Sequence, residues 1–282
     1  MRVKLWGTRG SIAVPGKDTT FYGGNTTCLE ITTESGKKII IDAGTGIRPL
    51  GEKLIDENEN VDVYLLITHI HWDHILGFPF FAPINIPTTR ITVDGFPTCM
   101  KGLRYTFDNK MGDGFFPIKF DDIKAKINYV EKLNEGELNI DGMIIESVPL
   151  HHPQGGFGYR FREGDKTLVF ITDNELRKKD AWAGRTLDVY ARFSEGADIL
   201  IHDAQYTPQE IKERRGWGHS DYKTTFEMAH KANVKRLILF HHDPSRKDPD
   251  VTAIRILCED LAKKKKSSMA IEAAKEETEF EL

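Results

Sequence analysis

The chain has 282 residues, a length that suits two domains or one large α/β domain. Hydrophobic residues make up 39 % and charged residues 29 %, which argues for a soluble globular protein and against disorder. The formal charge of −4 gives no bulk attraction for nucleic acid, and no stretch reaches the roughly 20 apolar residues of a spanning helix. The N-terminus has no apolar run of signal-peptide length, and Cys28, Cys99 and Cys258 are dispersed without a C-x-x-C pair. A cytoplasmic protein with reduced thiols and no membrane partner is expected.

In chain order, short apolar runs lead repeatedly into Asp or His. Lys38 to Ile41 leads into Asp42, Val63 to Ile67 into His69, and Met143 to Leu150 into His151 and His152. Leu168 to Thr172 leads into Asp173, Ile199 to Ile201 into His202 and Asp203, and Leu237 to Phe240 into His241 and His242. Continuous β-branched and apolar runs read as buried strands, and ligands of such folds collect beyond strand ends, so six such ends predict one shared site. Helices are predicted around Ile47 to Asn58, Ala181 to Glu195, Tyr222 to Asn233 with Ser220 as its cap, and Val251 to Lys265. Interleaved strands and helices predict stacked sheets covered by helices. The Phe- and Pro-rich stretch 76–131 (Phe78, Pro79, Phe80, Phe81, Pro83, Pro87, Phe115, Phe116, Pro117) reads as an insertion covering the site within a single domain, 1–262, or equally as ordinary loops whose aromatic rings anchor to the core. The charged tail, 263–282, reads as a solvated helix or a frayed end.

The densest chemistry is the run Thr68-His69-Ile70-His71-Trp72-Asp73-His74 directly behind a strand. Crowded imidazoles lower one another's pKa and leave ring nitrogens without partners unless a cation takes their lone pairs. A divalent metal satisfies both needs.

At Asp42, His69, His71, Asp73, His74, His152, Asp173 and His241 the chain resembles the metallo-β-lactamase superfamily, whose H-x-H-x-D-H run is followed by spaced His, Asp and His. The resemblance implies an α/β fold, the four-layer αββα sandwich, with two divalent metals at the sheet edges. It implies that His69, His71 and His152 hold one metal, that Asp73, His74 and His241 hold the other, and that Asp173 bridges them. Zinc suits these donors, and manganese or iron is compatible. Asp73 can also orient the hydroxide the metals share, or accept its proton. Asp42 is expected to hold a ligand imidazole, the alternative being a turn residue before Gly44. His152 is chosen over His151 because Gly158-Tyr159 follows at the family's distance, and His241 over His242 because it follows the last strand. Adjacent histidines leave each choice open by one position, and His151 and His242 are assigned to substrate.

The stretch His202-Asp203-Ala204-Gln205-Tyr206 resembles the His-Glu-Ala-Thr stretch of the tRNase Z and phosphodiesterase branch, and Gly218-His219-Ser220 its following His-Ser-Thr stretch. This implies that His219 protonates a leaving oxygen while Asp203 orients it, in phosphodiester hydrolysis by a hydroxide shared between two metals. Arg160 and Arg246 are assigned to phosphate oxygens from charge alone. In tRNase Z enzymes a long arm that grips tRNA lies between the third-motif histidine and the bridging aspartate; here Asp173 follows His152 by only 21 positions. A small phosphodiester such as a cyclic nucleotide is therefore expected over RNA. The alternatives are a tRNase Z-type endoribonuclease, a thioester or lactam hydrolase that needs no His219, and a non-catalytic metal-binding protein. A homodimer is compatible with all of them.

Overall fold

The computed structural model describes residues 1–57, 60–96, 105, 107, 111, 112, 114, 116–178 and 185–282. Asn58, Cys99, Phe115 and the start of the helix expected from Ala181 lie outside the described residues. The first half of the chain supplies strands β1 (Arg2–Gly7), β2 (Cys28–Thr32), β3 (Lys38–Ile41), β4 (Asp62–Ile67), β5 (Arg90–Gly95) and β6 (Lys126–Tyr129). The second supplies β7 (Leu138–Ile140), β8 (Met143–Pro149), β9 (Phe157–Glu163), β10 (Lys166–Ile171), β11 (Ile199–Asp203), β12 (Arg236–Phe240), β13 (Ala270–Ala273) and β14 (Glu279–Glu281). Among the described residues the α-helices include α1 (Ile47–Glu57), α2 (Trp72–Ile75), α3 (Lys132–Glu135), α4 (Leu187–Phe193), α5 (Tyr222–Lys231) and α6 (Asp248–Lys264).

Among the described residues the strands form two seven-stranded sheets, in the orders β14-β1-β2-β3-β4-β5-β6 and β13-β12-β11-β10-β9-β8-β7. Strands β3 to β6 run parallel, as do β10 to β13, while the remaining pairings are antiparallel. The two-residue period of a strand sorts its side chains between layers. Ile39, Ile41 and Leu66 point between the sheets and meet Tyr159, Phe170 and Phe240 of the facing one. Ile40, Leu65 and Ile67 point outward beneath α1, which buries Ile47, Leu50 and Leu54 on one stripe. On the far side Val169, Ile171, Leu200 and Leu239 lie beneath Tyr190 of α4, Phe226 of α5 and Ile254 of α6. The layers are therefore helix, sheet, sheet, helix, as expected.

Three expectations are corrected by this architecture. The stretch 76–131 is largely built into the domain, because β5 and β6 extend the first sheet parallel to β4 and Phe78 and Phe81 are buried against α1. The tail is neither helical nor frayed beyond Lys266: β13 pairs with β12 and β14 with β1, so one short segment supplies an edge strand to each sheet. Charge alone misled here, since alternation in Glu279-Phe280-Glu281 leaves Phe280 facing the inter-sheet core. The cap of α5 is Asp221, which accepts from the Lys223 and Thr224 amides, while Ser220 bonds residues 174 and 176 instead. Replacing Phe280 with Ala should cost about 3 kcal/mol, measured by urea unfolding, through the cavity left between the sheets; a solvated tail would show no change.

Candidate metal centre

Parallel strands of both sheets stop at one edge and hand over polar residues there. Asp42 follows β3, Asp173 follows β10 and His241 follows β12, and all three adopt left-handed backbone, with φ of 60°, 51° and 59°. A residue other than glycine pays about 1–3 kcal/mol for such a conformation, which persists where the surroundings over-determine it, as at functional sites. Asp42 shows the over-determination: its carboxylate accepts from the Thr68 amide and hydroxyl, both at 2.8 Å, and from His74 Nδ1 at 2.7 Å. The turn after Asp42 packs on α2, where the Ala43 amide donates to the His74 carbonyl and a Cβ on Gly44 would lie 2.3 Å from the Asp73 carbonyl oxygen. Only glycine fits at position 44.

The donors converge in two groups. His69, His71 and His152 bring three ring nitrogens together, with His71 Nδ1 3.1 Å from His69 Nε2 and 3.0 Å from His152 Nε2. Asp173 Oδ2 faces this group, 3.6 Å from His69 Nε2 and 4.0 Å from His152 Nε2. The other oxygen, Asp173 Oδ1, faces the second group, 3.3 Å from His74 Nε2 and 3.1 Å from His241 Nε2. Asp73 Oδ2 closes that group, 3.3 Å from His74 Nε2 and 3.2 Å from His241 Nε2. Each group fits a single ion by the spacing of its donor atoms, and Asp173 belongs to both.

Every imidazole has its remote nitrogen tied to an oxygen. His69 Nδ1 meets Thr68 Oγ1, His74 Nδ1 Asp42, His152 Nδ1 the Gly218 carbonyl, His241 Nδ1 Gln205 Oε1, and His71 Nε2 Gln154 Oε1. Donation outward leaves a lone pair directed inward, the arrangement seen around histidine metal ligands.

The electrostatics carry the same message. Burial alone would lower the His74 imidazole, yet Asp73, Asp173 and Asp42 raise it well above the usual histidine value. Burial would raise Asp73 and Asp173, but His74 and His241 hold both well below the usual carboxylate range. On the other side, burial and the charge of His74 push His69 well down, and burial brings His152 to about 4. The buried carboxylates therefore demand positive charge at the centre, while burial keeps His69 and His152 from supplying it. A divalent cation fits this demand, and His74 Nε2, buried without a hydrogen-bond partner, points at the place. The donor set of imidazoles and carboxylates without cysteine suits zinc, manganese or iron.

Beside the two groups, His219 Nδ1 lies 2.7 Å from Asp203 Oδ2, whose Oδ1 accepts from the Gln205 and Ser220 amides. The His219 ring stacks on that of His241, with centroids 5.0 Å apart. Burial opposes its protonation, but Asp203 outweighs that and brings the imidazole up to about 9.

Four residues assigned to substrate lie elsewhere. His151 donates from Nδ1 to the Glu175 carbonyl at 2.8 Å, and His242 Nε2 donates to the Ala274 carbonyl at 2.8 Å, so each ring is engaged away from the two donor groups. Arg160 forms a forked pair with Glu146 across β9 and β8, and Arg246 is held by Glu210. Charge alone could not reveal that these guanidinium groups are already paired. Conversely, Gln154 and Gln205 were passed over, although each follows a named site residue by two positions. The N-terminal loop was also missed: the Ser11 amide donates to Asp73 Oδ2 at 2.7 Å, and a Cβ on Gly10 would lie 2.4 Å from His241 Nδ1. Its only trace in the sequence is the glycine pair flanking Thr8 and Arg9.

A model of the beta-lactamase superfamily domain matches residues 37–242, and the chain belongs to this family of metal-dependent hydrolases, in the tRNase Z-like branch of the metallo-β-lactamase superfamily. Ribonuclease Z of Thermococcus kodakarensis is 28% identical over 249 residues, covering 73% of this chain and 75% of that protein. Ribonuclease Z of Bacillus cereus strain G9842 is 24% identical over 266 residues, covering 76% and 80%. Among solved structures, the metallo-beta-lactamase fold protein YhfI of Bacillus subtilis superposes with a TM-score of 0.72 at 16% identity, covering 99% of this chain and 98% of its own. Short-form human tRNase Z superposes at 0.65 with 16% identity, covering 100% and 99%, and a diphosphatase of the PhnP family at 0.67 with 16%, covering 100% and 97%. No helix among the described residues is long and apolar enough to cross a membrane.

Gly10→Ala should displace the His241 imidazole and reduce bound metal to about one ion per chain, read by elemental analysis, with the fold retained by circular dichroism. In the metal-free protein His219 should titrate near 9 by imidazole NMR. Because the folded-state value is raised, the stabilisation is complete below about pH 6.5. It is lost as pH rises through about 9. Asp203→Asn should flatten that part of the stability profile.

Proposed function

We propose that the protein is a metal-dependent phosphodiesterase acting on a small phosphodiester such as a cyclic nucleotide. The observation that carries this reading is the path from His152 to Asp173. It is spent on a turn, on β9, on the two-residue connection Gly164-Asp165 and on β10, all within the sheet. No length remains for a projecting arm that would grip a folded RNA.

In this reading His69, His71 and His152 hold one ion, Asp73, His74 and His241 the other, and Asp173 lies between them. Bound there, the ions supply Lewis-acid stabilisation of the phosphoryl oxygens and acidify the attacking water. Asp42, Thr68, Gly218, Gln154 and Gln205 hold the imidazoles with their lone pairs inward. Asp73, steadied by the Ser11 amide, accepts a hydrogen bond from the attacking water and aims it at phosphorus. His219, kept protonated by Asp203, donates its Nε2 proton to the departing alkoxide. That donor pair supports a phosphodiester over a thioester, whose thiolate leaves without protonation, and over a purely metal-binding role, for which the pair would be superfluous.

The names of the relatives favour a second reading, a ribonuclease Z-type endoribonuclease using a surface other than an arm. The protein loaded with zinc or manganese should be incubated separately with cyclic nucleotides and with precursor tRNA. Turnover of the nucleotides is expected; trimming of the tRNA 3′ end without it would establish the second reading. Chelation should abolish turnover, and two equivalents of metal per chain should restore it. His219→Ala should keep both metals and lower kcat on an alkyl phosphodiester by about 10²–10⁴.

A further inference from the structure

The loop that delivers His219 is anchored by one acid that the reaction scheme above does not use. Glu175 is 1% exposed and lies two residues beyond Asp173. Its Oε2 accepts from the Gly216 amide at 2.7 Å and from the Gly218 amide at 3.4 Å. Its Oε1 accepts from Arg177 Nε at 2.8 Å and from Arg215 Nη1 at 3.4 Å. Two guanidinium groups and two amides thus neutralise and solvate a carboxylate that would otherwise be costly to bury.

The two sides of Gly218 face different partners. Its amide is aimed at Glu175, and its carbonyl accepts from His152 Nδ1 at 3.1 Å. Gly218 has φ of +88°, and a Cβ there would lie 2.0 Å from His152 Nδ1, so the loop can approach the ring only as glycine. The next residue is His219. The contact is reinforced alongside, because Ser220 Oγ donates to the Asn174 carbonyl at 2.5 Å and accepts from the Leu176 amide at 3.0 Å. Glu175 also clasps His151 through its backbone, donating to the His151 carbonyl and accepting from His151 Nδ1. Glu175 therefore ties the segment ending in His152, through its backbone, to the loop carrying His219, through its carboxylate.

We propose that Glu175 is a positioning residue that fixes the Nδ1–H tautomer of His152 through the Gly218 carbonyl and, through the same loop, sets His219 against the leaving group. The part concerning His219 rests on the phosphodiesterase reading; the part concerning His152 does not.

The test uses Glu175→Gln, which keeps the shape and removes the charge. Two esters are compared on the metal-loaded protein: an alkyl phosphodiester such as a 3′,5′-cyclic nucleotide, which needs a protonated leaving group, and bis(4-nitrophenyl) phosphate, which does not. Turnover of the first should fall about 10–100-fold, as for other residues that orient ligands from behind, and the second by less than about threefold. Imidazole ¹⁵N spectra of the metal-free protein should show His152 as the Nδ1–H tautomer in the parent and as a mixture in the variant. An equal loss on both esters, or an unchanged His152 tautomer, would overturn the proposal. If Glu175→Gln does not fold, Arg215→Met and Arg177→Met loosen the same cage more gently. They should show the same leaving-group selectivity and the same tautomer mixing at smaller amplitude, and absence of both overturns it. Should the parent hydrolyse neither ester, the functional reading fails, while the tautomer measurement still decides the role of Glu175.

Discussion

The structure turns on the Asp173 carboxylate. Its two oxygens face two different groups of nitrogens, Oδ2 toward His69 and His152 and Oδ1 toward His74 and His241. That division requires the strand before it to end in left-handed backbone, in a buried place, beside the equally strained end of β12. The cost is met by many packed neighbours, since both sheets bury apolar residues on both faces and hold their strand ends in register. A buried carboxylate flanked by another demands positive charge, and the donor geometry, rather than a paired lysine or arginine, is what is offered to meet it.

Around this centre the fold supplies acceptors rather than bulk. Oxygens of Thr68, Asp42, Gly218, Gln205 and Gln154 occupy the remote ring nitrogens, so the inward lone pairs are a property of the scaffold. Much of this support comes from loops outside the matched family region or between its strands. The N-terminal loop brings the Ser11 amide to Asp73 and the bare Cα of Gly10 against His241, which couples residues before β2 to one half of the centre. The Gly216–His219 loop does the corresponding work for His152 and places the Asp203–His219 pair at the same mouth.

Much of the site was legible because its residues are chemically expensive. An H-x-H-x-D-H run behind a strand, and Asp or His at further strand ends, have few reasons to exist other than a shared cation, and those residues do meet in space. Asp42 was legible for the same reason and does hold the His74 ring. The supporting glutamines, the Ser11 amide and Glu175 were not, because amide side chains and backbone N–H groups carry no distinctive spacing. Arg160 and Arg246 failed in the opposite way: their charge was visible, and the glutamates that consume it, Glu146 and Glu210, become neighbours only by strand pairing and loop packing.

The sequence by itself determined the layered α/β architecture and the donor types, since periodic apolar runs and clustered imidazoles are local and follow from short-range chemistry. Only the tertiary structure decided which member of each His-His pair faces inward, that the charged tail closes both sheets, and how the two oxygens of Asp173 are shared. Those outcomes depend on backbone direction at strand ends and on distant partners, 168 residues apart for His241 and Asp73 and at opposite ends of the chain for β14 and β1, and a linear pattern holds no record of either.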